Sequence, residues 1–228
     1  MEKTTVFNLI ILDESGSMED VTKQTVDGCN ETLNVIRTLE KKHGDTQRNL
    51  VSIYAFQSGG DRPSRYIVKN APIAKVKNIT TRDYDPCGCT PLLDAVGSTL
   101  VDLRAVASTH VDSTATVTII TDGYENSSTD YNWTKVHRLI TQLKELGWTF
   151  NFIGANIDVE QVSRQLNIDN AMAFEADEKG TKEMWTNYSA NLCQNEEERI
   201  AMETAAPCMS VEARVSLRKK RSNNFFRK

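Results

Sequence analysis

Asp13, Ser15 and Ser17 stand one residue apart around Gly16, directly after the apolar run of residues 6–12. One carboxylate and two hydroxyls are all oxygen donors, with no thiol or imidazole among them. That donor set suits a hard cation such as Mg²⁺ or Mn²⁺. The same spacing also serves turn and helix-cap chemistry, in which Ser and Asp side chains satisfy nearby backbone N–H groups. Two further oxygens lie far along the chain. Thr90 follows Pro86-Cys87-Gly88-Cys89, and Asp122 stands in Thr121-Asp122-Gly123.

These residues come together only if the intervening elements place them. Residues 6–12 read as a strand buried on both faces, as in a parallel sheet. Residues 20–42 read as a helix, with Val26, Cys29, Leu33 and Ile36 as its apolar stripe and Lys41, Lys42, His43 and Gly44 as its end. Residues 49–56 form the next strand, broken by the turn Ser58-Gly59-Gly60-Asp61. Residues 65–69 form a charged edge strand that can pair back as a hairpin. After an irregular polar stretch over 71–85, Thr90 reads as a helix N-cap with Pro91 in the first helical position. That helix runs to about residue 107 on a stripe of Leu92, Val96, Leu100 and Leu103.

Residues 115–121 make a strand ending at Asp122. A helix over 133–146 turns Val136, Leu139, Leu143 and Leu146 inward. A strand over 148–154 follows, then a short helix from Asp158 to Leu166, a strand over 171–175, and a helix over 181–192 carrying Met184 and Tyr188 on one side. Strands alternating with helices predict a doubly wound, mostly parallel α/β sheet of six strands. One antiparallel strand lies at an edge and helices cover both faces. Ligands in such sheets bind outside the carboxyl ends of the strands, where Asp13, Thr90 and Asp122 are all expected.

Composition narrows the functional classes. The chain has 228 residues, 39% hydrophobic, and a formal net charge of −4. From Val211 onward seven basic residues (Arg214, Arg218, Lys219, Lys220, Arg221, Arg227 and Lys228) face the single acid Glu212, a surplus of six that leaves −10 on the rest. An acidic body argues against nucleic-acid binding through the domain itself. No secretory leader or membrane-spanning run is visible. With an odd count of five cysteines this predicts reduced thiols in a cytoplasmic protein.

Asp13-x-Ser15-x-Ser17, Thr90 and Asp122, in that order and in that strand–helix rhythm, resemble a von Willebrand factor A (integrin I-like) domain with a metal-ion-dependent adhesion site. The resemblance covers about residues 4–193 and is nearest to compact soluble bacterial members. It implies a Rossmann-like domain over 1–193. From Gln194 onward the sequence turns polar and charged and reads as a C-terminal helix, about residues 196–204, and a basic tail, together spanning 194–228. The resemblance also implies that Ser15, Ser17 and Thr90 ligate the ion directly, while Asp13 and Asp122 act largely through bound water. Such a site leaves Mg²⁺ short of direct anionic ligands, so a Glu or Asp carboxylate from a protein partner would complete the coordination. Family members with a ligand-linked switch exchange direct coordination between the positions of Thr90 and Asp122. By position alone, Glu14, Met18, Tyr124, Glu125 and Asn126 are expected at the rim.

Two other functions compete with non-catalytic binding. Phosphotransferases of the haloacid dehalogenase class also place an acid after a first apolar strand and bind Mg²⁺, but they need a second acid two residues on, where this chain has Ser15. The basic end, Arg218-Lys219-Lys220-Arg221 with Phe225-Phe226, can hold phosphates of an anionic membrane or nucleic acid, or remain a solvated tail. Cys87 and Cys89, immediately before Thr90, read as inert thiols or as a redox pair beside the metal loop.

Overall fold

Ten consecutive buried residues form β1 (Thr4–Asp13), an interior strand of a six-stranded sheet. The computed structural model describes residues 3–60, 62–206 and 208–226. Asp61 of the expected turn, and Arg227 and Lys228 of the basic end, lie outside them. The other strands are β2 (Gln47–Phe56), β3 (Arg65–Pro72), β4 (Ser113–Thr121), β5 (Thr149–Gly154) and β6 (Asn170–Ala173), in the order β3-β2-β1-β4-β5-β6. Only β3 runs antiparallel, paired to β2 along one edge. The predicted α/β architecture is the one observed.

The helices are α1 (Thr22–His43), α2 (Leu92–Ala107), α3 (Trp133–Lys144), α4 (Val159–Leu166), α5 (Glu178–Ala205) and α6 (Val211–Arg221). Strand pleating divides the apolar side chains of β1 between two cores. Phe7, Leu9 and Ile11 pack with Leu92, Val96 and Leu100 of α2 and with Val136 and Ile140 of α3. Ile10 and Leu12 pack on the other face with Val26, Leu33 and Ile36 of α1 and with Met184 and Trp185 of α5. Leu146, expected inside, lies beyond the end of α3 and is 45% exposed.

The C-terminal region departs most from expectation. Two helices are expected here, over residues 181–192 and over about 196–204, yet a single α5 runs unbroken from Glu178 to Ala205. Its buried face changes chemistry on the way, from Met184, Trp185, Tyr188 and Leu192 to Glu196, Arg199 and Glu203. Apolar periodicity therefore stops while the helix does not.

The described part of the basic end, through residue 226, is not a solvated tail. It folds as α6, and Arg218, 2% exposed, pairs with Asp112 at 2.7 Å and Glu203 at 2.8 Å. Arg214 also reaches Asp112 at 2.8 Å. Arg199 bridges Glu196, Glu203 and Gln47. Phe225 is buried and stacks on Tyr188 at 5.8 Å. Most of the charges proposed for phosphate are thus spent on internal pairs, including Lys219 with Glu145 and Arg221 with Glu198.

Candidate metal centre

β1 connects towards β2 on one side, and β4 lies against its other side, so the chain order reverses between β1 and β4. This switch point is where open α/β sheets form crevices. Leu12 pairs in register with Ile120, which places Asp13 beside Thr121. Thr121 Oγ1 donates to Asp13 Oδ2 at 2.5 Å, and Ser15 N donates to Asp13 Oδ1 at 2.8 Å. Both oxygens of Asp13 are engaged, and the residue is fully buried. Burial pushes its carboxyl up to about 6, against the opposing pull of the Thr121 and Ser15 hydrogen bonds.

The hydroxyls are arranged around the other acid. Ser17 Oγ donates to Asp122 Oδ1 at 2.6 Å, and Ser15 Oγ lies 3.2 Å from Ser17 Oγ. Asp122 Oδ2 is buried and has no hydrogen-bond partner. Burial raises the Asp122 carboxyl as well, with the Ser17 hydrogen bond opposing it. A Cβ built on Gly123 would stand 3.3 Å from Thr90 Oγ1 and 4.0 Å from Ser17 Oγ, so both hydroxyls flank that glycine. The structure therefore brings all five expected side chains to one end of the sheet.

Simple capping does not account for these hydroxyls. Ser15 precedes a 3-10 turn over Gly16–Val21 but makes no side-chain cap to it. The expectation that Thr90 caps its helix is also revised, because the first helical residue is Leu92 and other side chains serve the helix end. Glu125 accepts from Leu93 N at 2.8 Å, and Ser128 Oγ accepts from Asp94 N at 3.0 Å. The Thr90 hydroxyl is thereby released from capping.

The loop carrying Thr90 is sewn to the loop carrying the serines. Gly16 N donates to Gly88 O at 3.1 Å, Cys87 N to Glu14 O at 2.8 Å, and Ser58 and Cys89 exchange both backbone bonds. Gly88 sits at φ +73°, and a Cβ there would lie 2.1 Å from Ser58 O, so only glycine fits. Cys87 and Cys89 are exposed free thiols. Tyr84, buried, donates its hydroxyl to Asp13 O at 2.6 Å.

Two expected rim residues are not at the rim. Met18 is buried in the α1-side core. Glu14 is fully buried and held bidentately by Arg65 at 2.5 and 2.9 Å, with Asp85 N donating at 2.7 Å. Its chain neighbour Asp13 ends β1 and faces the site, while Glu14, the first residue after the strand, turns to Arg65. Tyr124 and Asn126 are exposed, as expected. Sequence reasoning passed over Thr121, Tyr84 and Arg65. Thr121 was within reach, since it ends a buried strand next to Asp122, whereas the partners of Tyr84 and Arg65 lie too far along the chain for any local pattern.

Among the described residues, no three His, Cys, Asp or Glu side chains gather closely enough to hold a metal ion. The candidate donors are two acids and three hydroxyls, a set poor in charge.

No protein-family model matches the sequence, and no curated protein matches it. Solved structures do match its fold. The pilus adhesin SpaC from Lactobacillus rhamnosus GG, in an open conformation, superimposes with a TM-score of 0.61 at 15% identity, over 85% of this chain and 30% of that one. Proximal thread matrix protein 1 from the mussel byssus gives 0.58 at 12% identity, over 84% of this chain and 47% of that one. A von Willebrand factor type A structure from Catenulispora acidiphila gives 0.53 at 19% identity, over 84% and 43%. The chain thus spans less than half the length of each of these proteins. Its fold is that of a von Willebrand factor A domain.

Proposed function

We propose that this domain binds one divalent cation, Mg²⁺ or Mn²⁺, at Asp13, Ser15, Ser17, Thr90 and Asp122, and through it a Glu or Asp carboxylate of a protein partner. The observation that carries the reading is Asp122 Oδ2, a buried carboxylate oxygen without a partner, beside hydroxyls that cap no helix. A buried carboxylate oxygen left without a partner is costly, and a cation is the natural compensation. Ser15, Ser17 and Thr90 would supply neutral oxygens. Asp13, with both oxygens engaged, would act at one remove through its charge. A site so lightly charged leaves a divalent ion attractive to an outside anion.

The reaction chemistry of a phosphotransferase fits less well. A nucleophilic carboxylate must present an oxygen to substrate, and Asp13 presents neither, being fully buried with both hydrogen-bonded. The partner reading also agrees with the printed name of one neighbour, a pilus adhesin. No helix among the described residues is long and apolar enough to cross a membrane. The free cysteines suit a reducing compartment, and we place the protein in the cytoplasm.

The test is affinity capture from cell extract with Mg²⁺, with chelator, and with an Asp13→Ala variant in Mg²⁺. Partners held only by the wild type with metal support the reading. Partners retained equally in all three conditions overturn it.

A further inference from the structure

The loop that follows Asp122 and the start of α2 hold each other by reciprocal carboxylates. Glu125, from the loop, accepts from Leu93 N of the helix at 2.8 Å through Oε2. Its other oxygen accepts from Ser127 N at 2.8 Å and Ser128 N at 2.7 Å. Asp94, from the helix, accepts from Thr129 N at 2.7 Å, Asp130 N at 2.9 Å and Tyr131 N at 2.7 Å in the loop. Ser128 Oγ joins the two systems, donating to Glu125 Oε2 at 2.7 Å and accepting from Asp94 N at 3.0 Å.

The contact extends at both ends. Thr90 N donates to Asn126 Oδ1 at 2.8 Å and Asn126 N to Thr90 O at 3.2 Å. Further along, the Tyr131 ring lies where a side chain on Gly97 would be, 2.1 Å from an ideal Cβ. Thr90 and Asp122 are 32 positions apart by number, yet they sit at the two ends of one hydrogen-bonded unit. Carboxylates accepting several backbone N–H bonds are strong, charge-assisted fixtures, and a helix N-terminus favours them further.

We propose that Glu125 and Asp94 are positioning residues that fix the Thr90 hydroxyl against the Asp122 carboxylate, holding the cation site in a single arrangement. This rests on the cation reading above. Neither residue touches the ion. Each acts by clamping the loop to the helix, so the two donors move together or not at all. Such a site does not trade coordination between Thr90 and Asp122, because the separation between them is set by the clamp and not by the ligand.

The substitutions follow from the bonding. Glu125→Gln places an NH₂ group against an N–H whichever way the amide is turned, because both carboxylate oxygens accept from backbone N–H groups. Asp94→Asn can keep an acceptor for Asp130 N and Tyr131 N, whereas Asp94→Ala keeps none. Ser128→Ala removes the link between the two carboxylate systems and is the mildest change.

The experiment is Mn²⁺ titration of the full chain, followed by the electron paramagnetic resonance of free Mn²⁺, with metal-free thermal unfolding of each variant alongside. Glu125→Gln and Asp94→Ala are expected to weaken Mn²⁺ binding at least about tenfold, the scale seen when groups orienting metal ligands are removed. Asp94→Asn should restore most of the affinity. Ser128→Ala should lie between them and carries the test if Glu125→Gln does not fold. Variants that are folded at the titration temperature and bind Mn²⁺ as tightly as the wild type overturn this inference alone. A wild type that binds no Mn²⁺ overturns the cation reading, and this inference with it.

Discussion

Ser17 Oγ donates to Asp122 Oδ1 at 2.6 Å although the two residues are 105 positions apart. That bond joins the loop after β1 to the end of β4 at the point where the order of strands reverses. It also leaves the second oxygen of Asp122 buried and alone. The parallel register of β1 and β4 fixes the contact, since it lines up the ends of both strands.

Replacing that acid separates its two consequences. Asp122→Asn keeps an acceptor for Ser17 and removes a charge that burial disfavours. The amide NH₂ then stands where Oδ2 was, still without a partner, so only the lost charge favours the variant, and without metal it should be no less stable than wild type. Added Mg²⁺ should no longer raise its unfolding temperature. Denaturant melts with and without Mg²⁺ check both effects. A variant less stable without metal yet fully responsive to it would contradict the assignment.

Gly88 is the hinge of the loop that presents Thr90. With φ +73° and Ser58 O 2.1 Å from an ideal Cβ, Gly88→Ala must move the backbone that Gly16 and Cys87 anchor. The expected cost is ~1–3 kcal/mol, with loss of the Mg²⁺ response. Chemical denaturation reads the first and thermal shift the second. Unchanged values in both would show that the loop adjusts freely.

The ion-pair network beneath the sheet should dominate the stability of the C-terminal helices. Arg218→Ala leaves Asp112 and Glu203 buried with fewer partners. Removing one partner of such a pair costs roughly 3–5 kcal/mol. For Asp112 and Glu203, burial alone would raise the carboxyls, but Arg218, with Thr4 and Arg214 on Asp112 and Arg199 on Glu203, outweighs it and holds both below their ordinary values. Carboxyls lowered in the folded state stabilise it fully above their unfolded values of about 3.9 and 4.3. That contribution is lost as pH falls through the lowered folded values. The gap between wild type and Arg218→Ala should therefore be wide at pH 7 and narrow below about pH 4. Urea denaturation at several pH values measures it, and a gap independent of pH would refute the network's role.

How much of this was readable in advance follows from the physics of each region. The apolar run of β1 and the oxygen donors at its end form a local pattern, so Asp13, Ser15 and Ser17 stood out at once. Thr90 and Asp122 were legible because parallel strands bring their carboxyl ends to one edge. The reach of α5 was not, since Glu196, Arg199 and Glu203 are buried by charge pairing and look like a solvent face in sequence. The inward turn of Glu14 onto Arg65 was hidden for the same reason. Ion pairs leave no apolar periodicity, whether they keep helical spacing, as at Glu196, Arg199 and Glu203, or lie far apart in the chain, as Glu14 and Arg65 do.

The cation site is tested most directly by isothermal titration of the full chain with Mg²⁺ and with Mn²⁺, set beside Ser15→Ala and Asp122→Ala. One saturable site in the wild type, lost in both variants, is the predicted result. Absence of binding by the wild type, or equal binding by all three proteins, would contradict it.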